Sequence, residues 1–373
     1  MQLGGDGHGV DAAVAEAAAA DERRRVFLEQ GLPTGFIDYA RMGRQRADAL
    51  GEGLLPDSAA RRIFLEDVRA TIQATQLKAL GADGLNGPFL SMLIADDDEA
   101  LERFADLCLL MADGFLPPKA AEALGISILV PIPKAKGLTE DELDEEVAKF
   151  QNRRDAAELE GGSTEAPQDP ATGAQNDDLK ARGICVPRLL GRIVERLLMR
   201  RNAAAIARAM GPAQLCTTRN AAEILTHVTT LTLEAPAPTS VMVIWDAKQG
   251  YDRIKLGHVL AHQHAHVQKL TPYNRMLYCG AKPPVAVYYR RDGSVIEFPC
   301  AALEQGRGLS PANFGFGTAK ALLDMVSRFP ATSPLAYVDD NRLGGDIGSV
   351  AAALHAVYAQ DGLYAASGIL PKE

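Results

Sequence analysis

The sequence predicts an α+β fold. Apolar residues recur at helical spacing over 58–81, over 99–114 and through a long run before Gly211, and short β-branched runs interrupt them. Two of those runs end on carboxylates: SVMVIWD stops at Asp246, and LAYVDD stops at Asp339 and Asp340. With 373 residues and 47% hydrophobic content, the chain can bury a large core and divides into two or three domains.

Residues 1–57 read as an extension, helical or disordered, in which AAVAEAAAADERRRVFLEQ has a helical composition. The helix of 58–81 is followed by the turn-like GADGLNGPF and then by the helix of 99–114. The run GISILVPIPKAKG clusters β-branched residues and ends in two prolines and two lysines, as an apolar strand leading to a basic tip does. RGICVPRLLGRIVERLLMRRNAAAIARAMG then gives an extended entry and a long amphipathic helix closed by Gly211, and a further helix runs from Asn220 to Leu233.

Between these elements lies an acidic segment, 138–180, with 13 Asp and Glu against 4 Lys and Arg. It alone accounts for the net charge of −9, so the remainder is neutral and a nucleic-acid partner is compatible with the composition. Its first half, TEDELDEEVAKFQNRR, reads as a short exposed helix; its second half, rich in Gly, Pro and Ser, reads as a disordered, solvated insertion.

No apolar run approaches the roughly 18 residues that span a bilayer, and MQLGGDGHGV lacks the pattern of a signal peptide. The expectation is a soluble, intracellular protein without membrane contact. Five cysteines without a CxxC pair argue for reduced thiols, not a zinc site or disulfide framework.

The carboxylates carry the chemistry. Val241 to Trp245 make a strand that ends on Asp246, which would serve equally as the cap of a following helix. That alternative leaves Asp339 and Asp340 unexplained, since adjacent carboxylates repel unless they share a cation. Hard divalent ions such as Mg²⁺ take oxygen ligands, and two ions held by carboxylates can clamp a phosphoryl group between attacking and leaving oxygens. An Asp-rich surface turn continuing into Asn341 would suffice if LAYVDD stood alone.

It stands in a series. VMVIWDAKQGYDRI, EQGRGLSPANFGF and YVDD occur in that order, with Asp246 and Gln305 separated by 59 residues and Gln305 and Asp339 by 34. Upstream come LKALGADGLNGPF, MADGFLPPKAAEALGISILVPIPKAKG and RGICVPRLLGRIVERLLMRR. From about Ala60 to the C-terminus the chain resembles reverse transcriptases of the non-LTR (LINE-like) retrotransposon type.

The resemblance implies a right-hand polymerase: fingers over 58–235 with the acidic insertion at 138–180, then a palm over 236–373. The palm would be an antiparallel sheet of the split βαβ kind backed by helices. With 33 residues after Asp340, the thumb is expected to be missing. The implied activity is RNA-directed DNA synthesis on an RNA template and DNA primer from deoxynucleoside triphosphates, with two Mg²⁺ ions, or Mn²⁺ in their place. Asp246 and Asp339 would bind metal, with Asp340 supporting them in the same turn. Tyr251 falls where the family places an aromatic gate against a 2′-hydroxyl; the plainer alternative is an aromatic packed under a helix. Gln305 and Gly306 match residues that touch the nucleotide and the templating strand. Arg182 matches an arginine that grips the triphosphate, assisted by Lys134 or Lys136. The rivals are an RNA-dependent RNA polymerase, disfavoured by Tyr251, and a nucleic-acid-binding remnant without turnover.

Trp245 and Tyr337 read as packing residues of the two strands. In HVLAHQHAHVQKL, His258, His262 and His266 share a helical face, with His264 on another, at an i, i+4 spacing that can bind zinc, but no Glu general base or distant third ligand is evident, and a solvated helix is the expectation.

Overall fold

The computed structural model describes residues 58–75; 83–133 apart from 86, 95 and 96; 139–149 apart from 140, 143 and 148; and 181–369 apart from 235–238, 248, 249, 281, 291, 301 and 360, together with Arg25. The chain is a mixed α+β structure of two sheets and the helices around them.

Helices α1 (Ser58–Ala74), α2 (Gly87–Ile94), α3 (Asp98–Ala112) and α4 (Pro118–Leu124) come first. Helix α3 starts where Asp97 accepts a hydrogen bond from the Ala100 amide at 3.0 Å, with Asp98 and Glu99 adding charge to its first turn. Helix α4 opens on Pro118, a residue suited to a first helical position. Strands β1 (Ile126–Pro133) and β2 (Ala181–Pro187) pair antiparallel from Ser127↔Pro187 to Pro133↔Ala181. The acidic segment therefore connects the far ends of one hairpin.

Part of that segment departs from expectation. In 139–149, Val147 is fully buried against Leu129, Cys185, Ile296 and Phe298, and the Tyr288 hydroxyl donates to Asp144 at 2.5 Å. The described part of the expected exposed helix thus buries Glu146 and Val147 on the sheet side and leaves Asp141, Glu145 and Lys149 exposed. Its remainder and the second half, expected to be disordered, lie outside the described residues.

Helix α5 (Leu189–Met210) is closed by Gly211 at φ +68°, a conformation in which a Cβ would also stand 2.8 Å from Leu323. The expected amphipathic pattern fails in its first turns, where Arg192 and Glu195 are buried along with Ile193 and Val194. After α6 (Ala221–Glu234), strand β3 (Ser240–Asp246) leads to α7 (Gly250–Arg253), α8 (Leu256–His266), α9 (Thr271–Tyr278), the β4–β5 hairpin (Val285–Tyr289, Val295–Pro299) and α10 (Ser310–Arg328). Strands β6 (Thr332–Tyr337) and β7 (Asp340–Asp346) follow, then α11 (Ile347–Tyr358), capped by Asp346 accepting from the Gly348 and Ser349 amides.

The smaller sheet has the order β3-β7-β6, antiparallel at each step. Strands β3 and β6 thus run parallel with β7 in the gap between them, which is the split βαβ arrangement. The larger sheet, β2-β1-β4-β5, joins β1 and β4 in parallel through Ile126↔Val285. It draws strands from both sides of the expected boundary at 235/236, and one apolar core runs from Phe64 to Ile369. Trp245 belongs to that core at 7% exposure. Tyr337, expected to pack likewise, is 37% exposed because its side chain points away from the core, as its exposed partner Asp340 does. Among the described residues no helix is long and apolar enough to cross a membrane.

Candidate active site

The last residue of β3, Asp246, is the Cα partner of the first residue of β7, Asp340, which also pairs with Tyr337 at the end of β6. Only Val338 and Asp339 form the turn between β6 and β7. Antiparallel register therefore sets two exposed carboxylates directly opposite each other, a placement that destabilises a sheet unless a counter-charge joins them. Asp339 is half-buried beside them. Its carboxyl is held above the usual range first by burial, then by the charges of Asp246 and Asp340, with a backbone hydrogen bond and Arg182 pulling the other way. Three carboxylates and one guanidinium thus share a single field.

A divalent cation fits this donor set: every oxygen is a hard ligand, two carboxylates are exposed, and the third is destabilised as an anion. No three His, Cys, Asp or Glu side chains among the described residues already converge to a coordination distance. The carboxylates share a field, not a preformed cage.

The turn is gripped from within the protein. Val338 has φ +58°, a left-handed conformation that costs a β-branched residue on the order of 1–3 kcal/mol. Gln214, 2% exposed, accepts from the Val338 amide at 3.1 Å and donates to the Val338 carbonyl at 3.4 Å and to the Thr318 hydroxyl at 2.9 Å. Its oxygen also accepts from the Cys216 amide at 3.1 Å. Residues 213–215 are sewn to β6 through Ala336, whose amide donates to Ala213 and whose carbonyl accepts from Leu215, each at 2.7 Å. On the other side, the Asn341 amide donates to the Asp339 carbonyl at 2.7 Å, and Tyr364 donates to Asn341 at 3.3 Å. Asn341, 3% exposed, belongs to β7, while Asp340 before it is exposed.

Of the other expected residues, Tyr251 and Arg182 fall within the electrostatic reach of Asp339, while Gln305 and Gly306 lie against β2. Tyr251, on α7, lies against Phe314 with ring centroids 5.0 Å apart; its phenol is raised by burial and then by the charge of Asp339. Its carbonyl accepts from the Leu303 amide at 3.2 Å, tying α7 to the segment that enters Gln305 and Gly306. Arg182 is exposed on β2, opposite Ile132, and its charge reaches Asp339. The Gln305 carbonyl accepts from the Cys185 amide at 2.7 Å, and Gly306 has φ +114° with space for a Cβ closed by the Cys185 carbonyl at 2.2 Å. The close approach that this glycine permits is made by the chain's own β2. Lys134 and Lys136 lie outside the described residues.

Next to Gln305 and Gly306 in the chain sits a buried ion cluster that sequence reasoning missed. Arg307, fully buried, pairs with Glu304 and with Glu195 at 3.2 Å, and donates to the Gly125 carbonyl at 3.0 Å and the Ser127 hydroxyl at 3.3 Å. Burial alone would lower its guanidinium, but Glu304 and Glu195 hold it raised. Glu195 also accepts from Tyr273 at 2.9 Å and from the Gly308 amide at 2.6 Å. The available signal was Glu304 three residues before Arg307 in a glycine-rich run. Gln214 gave none beyond being an amide among apolar neighbours.

The histidine face of α8 is exposed at His266 and not along its whole length. His258, His262 and His264 are half-buried, and His262 stacks 4.3 Å from His266 and 6.2 Å from Phe316 of α10. Burial, then the neighbouring His266 and His258, lower His262 to about 4.

No family model and no curated protein matches this chain. Among solved structures it is similar to an apo telomerase from Candida tropicalis truncated from its C-terminal domain, at 12% identity and a TM-score of 0.37. The match covers 52% of this chain and 48% of that one, so the chain spans about half the length of the telomerase structure.

Proposed function

We propose that this chain carries the nucleotidyl-transfer centre of an RNA-directed DNA polymerase of retroelement type, extending a DNA primer on an RNA template. The observation that carries the reading is the in-register opposition of Asp246 and Asp340 with Asp339 in the adjoining turn. Opposed carboxylates at the open end of a sheet are costly to folding, and a divalent-cation site gives them a use.

Asp246 and Asp339 would hold two Mg²⁺ ions, or Mn²⁺, with Asp340 supporting them. Bound there, the ions supply Lewis-acid activation of a primer 3′-hydroxyl and charge neutralisation on the incoming triphosphate. The chain's own residues do the rest. Arg182 offers a cation on the side facing Asp339, suited to the triphosphate. The Gln305–Gly306 turn, bonded to β2, fixes the base of the strand that presents Arg182. Tyr251, locked against Phe314, presents a rigid ring next to the carboxylates, where a ribose 2′-hydroxyl would collide with it. Arg307 with its two carboxylates holds Gln305–Gly306 at a set distance from α5.

Primer extension on poly(rA)/oligo(dT) with dTTP and Mg²⁺ tests the reading. Extension by the native chain, lost in Asp339→Asn and stronger with deoxynucleotides than with ribonucleotides, supports it. A ribonucleotide preference would favour RNA synthesis instead. A folded native chain that binds the duplex but extends neither substrate would favour a binding remnant.

A further inference from the structure

Gln214 lies on no expected motif and touches none of the three carboxylates, yet its side-chain oxygen and nitrogen both bond the backbone of Val338, the residue before Asp339. Its oxygen takes the Val338 amide at 3.1 Å and the Cys216 amide at 3.1 Å. Its nitrogen meets the Val338 carbonyl at 3.4 Å and is fixed by the Thr318 hydroxyl at 2.9 Å. Thr318 in turn sits on α10, bonded to the Phe314 and Gly315 carbonyls, so the anchor is a buried helix and not a loop. Val338 is held at φ +58° and remains 8% exposed within the core. Left to itself a valine there would relax to an extended or right-handed conformation, because its branched Cβ crowds the backbone at positive φ. Relaxation would swing the next residue, Asp339, away from Asp246.

We infer that Gln214 is a positioning residue of the active site: its side-chain amide holds Val338 in the left-handed conformation that aims Asp339 at the pair formed by Asp246 and Asp340. The inference rests on the carboxylate-centre reading proposed above. It explains why a valine occupies a turn position that glycine or asparagine would fill without strain. Valine supplies core packing, and Gln214 supplies the conformation. Asn341 secures the following carbonyl at 2.7 Å, so the two peptides flanking the Val338–Asp339 bond are each gripped by a buried side-chain amide.

A rescue experiment separates positioning from ordinary packing. Gln214→Met keeps the volume and removes all four hydrogen bonds, and Thr318→Val, the milder change, removes only the anchor. Each is made alone and combined with Val338→Gly, which adopts positive φ freely. Mn²⁺ binding is read by electron paramagnetic resonance, and the Val338 backbone conformation by NMR couplings and carbon shifts. Gln214→Met should weaken Mn²⁺ binding roughly tenfold or more, the range typical of residues that orient metal ligands. Thr318→Val should weaken it less, and Val338→Gly should restore most of the loss in both backgrounds. Unchanged affinity in folded Gln214→Met, or losses that Val338→Gly does not reverse in either background, overturns the inference. Should the native chain bind no Mn²⁺, the metal reading fails by itself and the positioning claim is judged on the Val338 backbone. Its amide–Hα coupling and carbon shifts should leave the left-handed range in Gln214→Met or Thr318→Val, and unchanged values in the folded variants overturn it.

Discussion

Arg307 and Glu195, both fully shielded from solvent, are 3.2 Å apart, and the same carboxylate receives the Gly308 amide at 2.6 Å. Two carboxylates and one guanidinium buried together give strong dependence on the single cation. Arg307→Met should therefore cost about 3–5 kcal/mol, the typical penalty for stranding buried charges. Glu195→Gln leaves Arg307 paired with Glu304 and should cost clearly less. Urea unfolding midpoints of the two variants check the order.

The carboxylate cluster predicts a trade between stability and binding. Asp340→Asn removes a like-charge opposition and should leave the fold unchanged or stabilise it by a few tenths of a kcal/mol, while weakening Mn²⁺ binding. Asp339 adds a pH dependence. Its carboxyl is raised, and a cation needs the ionised form, so affinity is lost as pH falls through the raised value, before an ordinary carboxylate would protonate. Thermal melts of Asp340→Asn and an Mn²⁺ titration series across acidic pH test the two halves.

His262 predicts an acid-sensitive fold. The unfolded imidazole protonates near 6.5 and the folded one near 4, so the unfolded chain binds more protons between those values. Stability is fully present above 6.5 and is lost as pH falls towards 4. His262→Leu should flatten the decline of the unfolding midpoint in that window, leaving the smaller slopes due to His258 and His264, which are also lowered by burial.

The acidic connection should divide into a part the fold uses and a part it does not. Replacing residues 152–178 with a flexible Gly/Ser linker that still bridges the gap should barely move the melting temperature, since each halving of a loop changes closure free energy by only about 0.6 kcal/mol. Val147→Ala, inside the retained portion, should cost about 1.5 kcal/mol from its lost buried carbons. Differential scanning calorimetry distinguishes the two.

Local patterns made much of this structure legible. Val241 to Trp245 and Leu335 to Tyr337 are apolar runs whose strands end on carboxylates, and Gly211 stops its helix for a reason stated in its own backbone. What stayed hidden is long-range. Val285 gives no sign that it will pair with Ile126, far away along the chain, so the larger sheet could not be assembled from periodicity. Gln214 and Arg307 are invisible for a related reason: a buried polar residue takes its meaning from partners on other elements, here Val338 and Glu195. The histidines of α8 misled because their spacing describes one helix, while their burial depends on α10.

The bond from the Cys185 amide to the Gln305 carbonyl, with Gly306 pressed on the Cys185 carbonyl, makes β2 and the 305–306 turn a single rigid body. Any opening of the β1–β2 hairpin must then carry both at once. A shift of Arg182 relative to Asp339 would then be passed to Gln305, so that the two residues move as one coupled step instead of two successive ones.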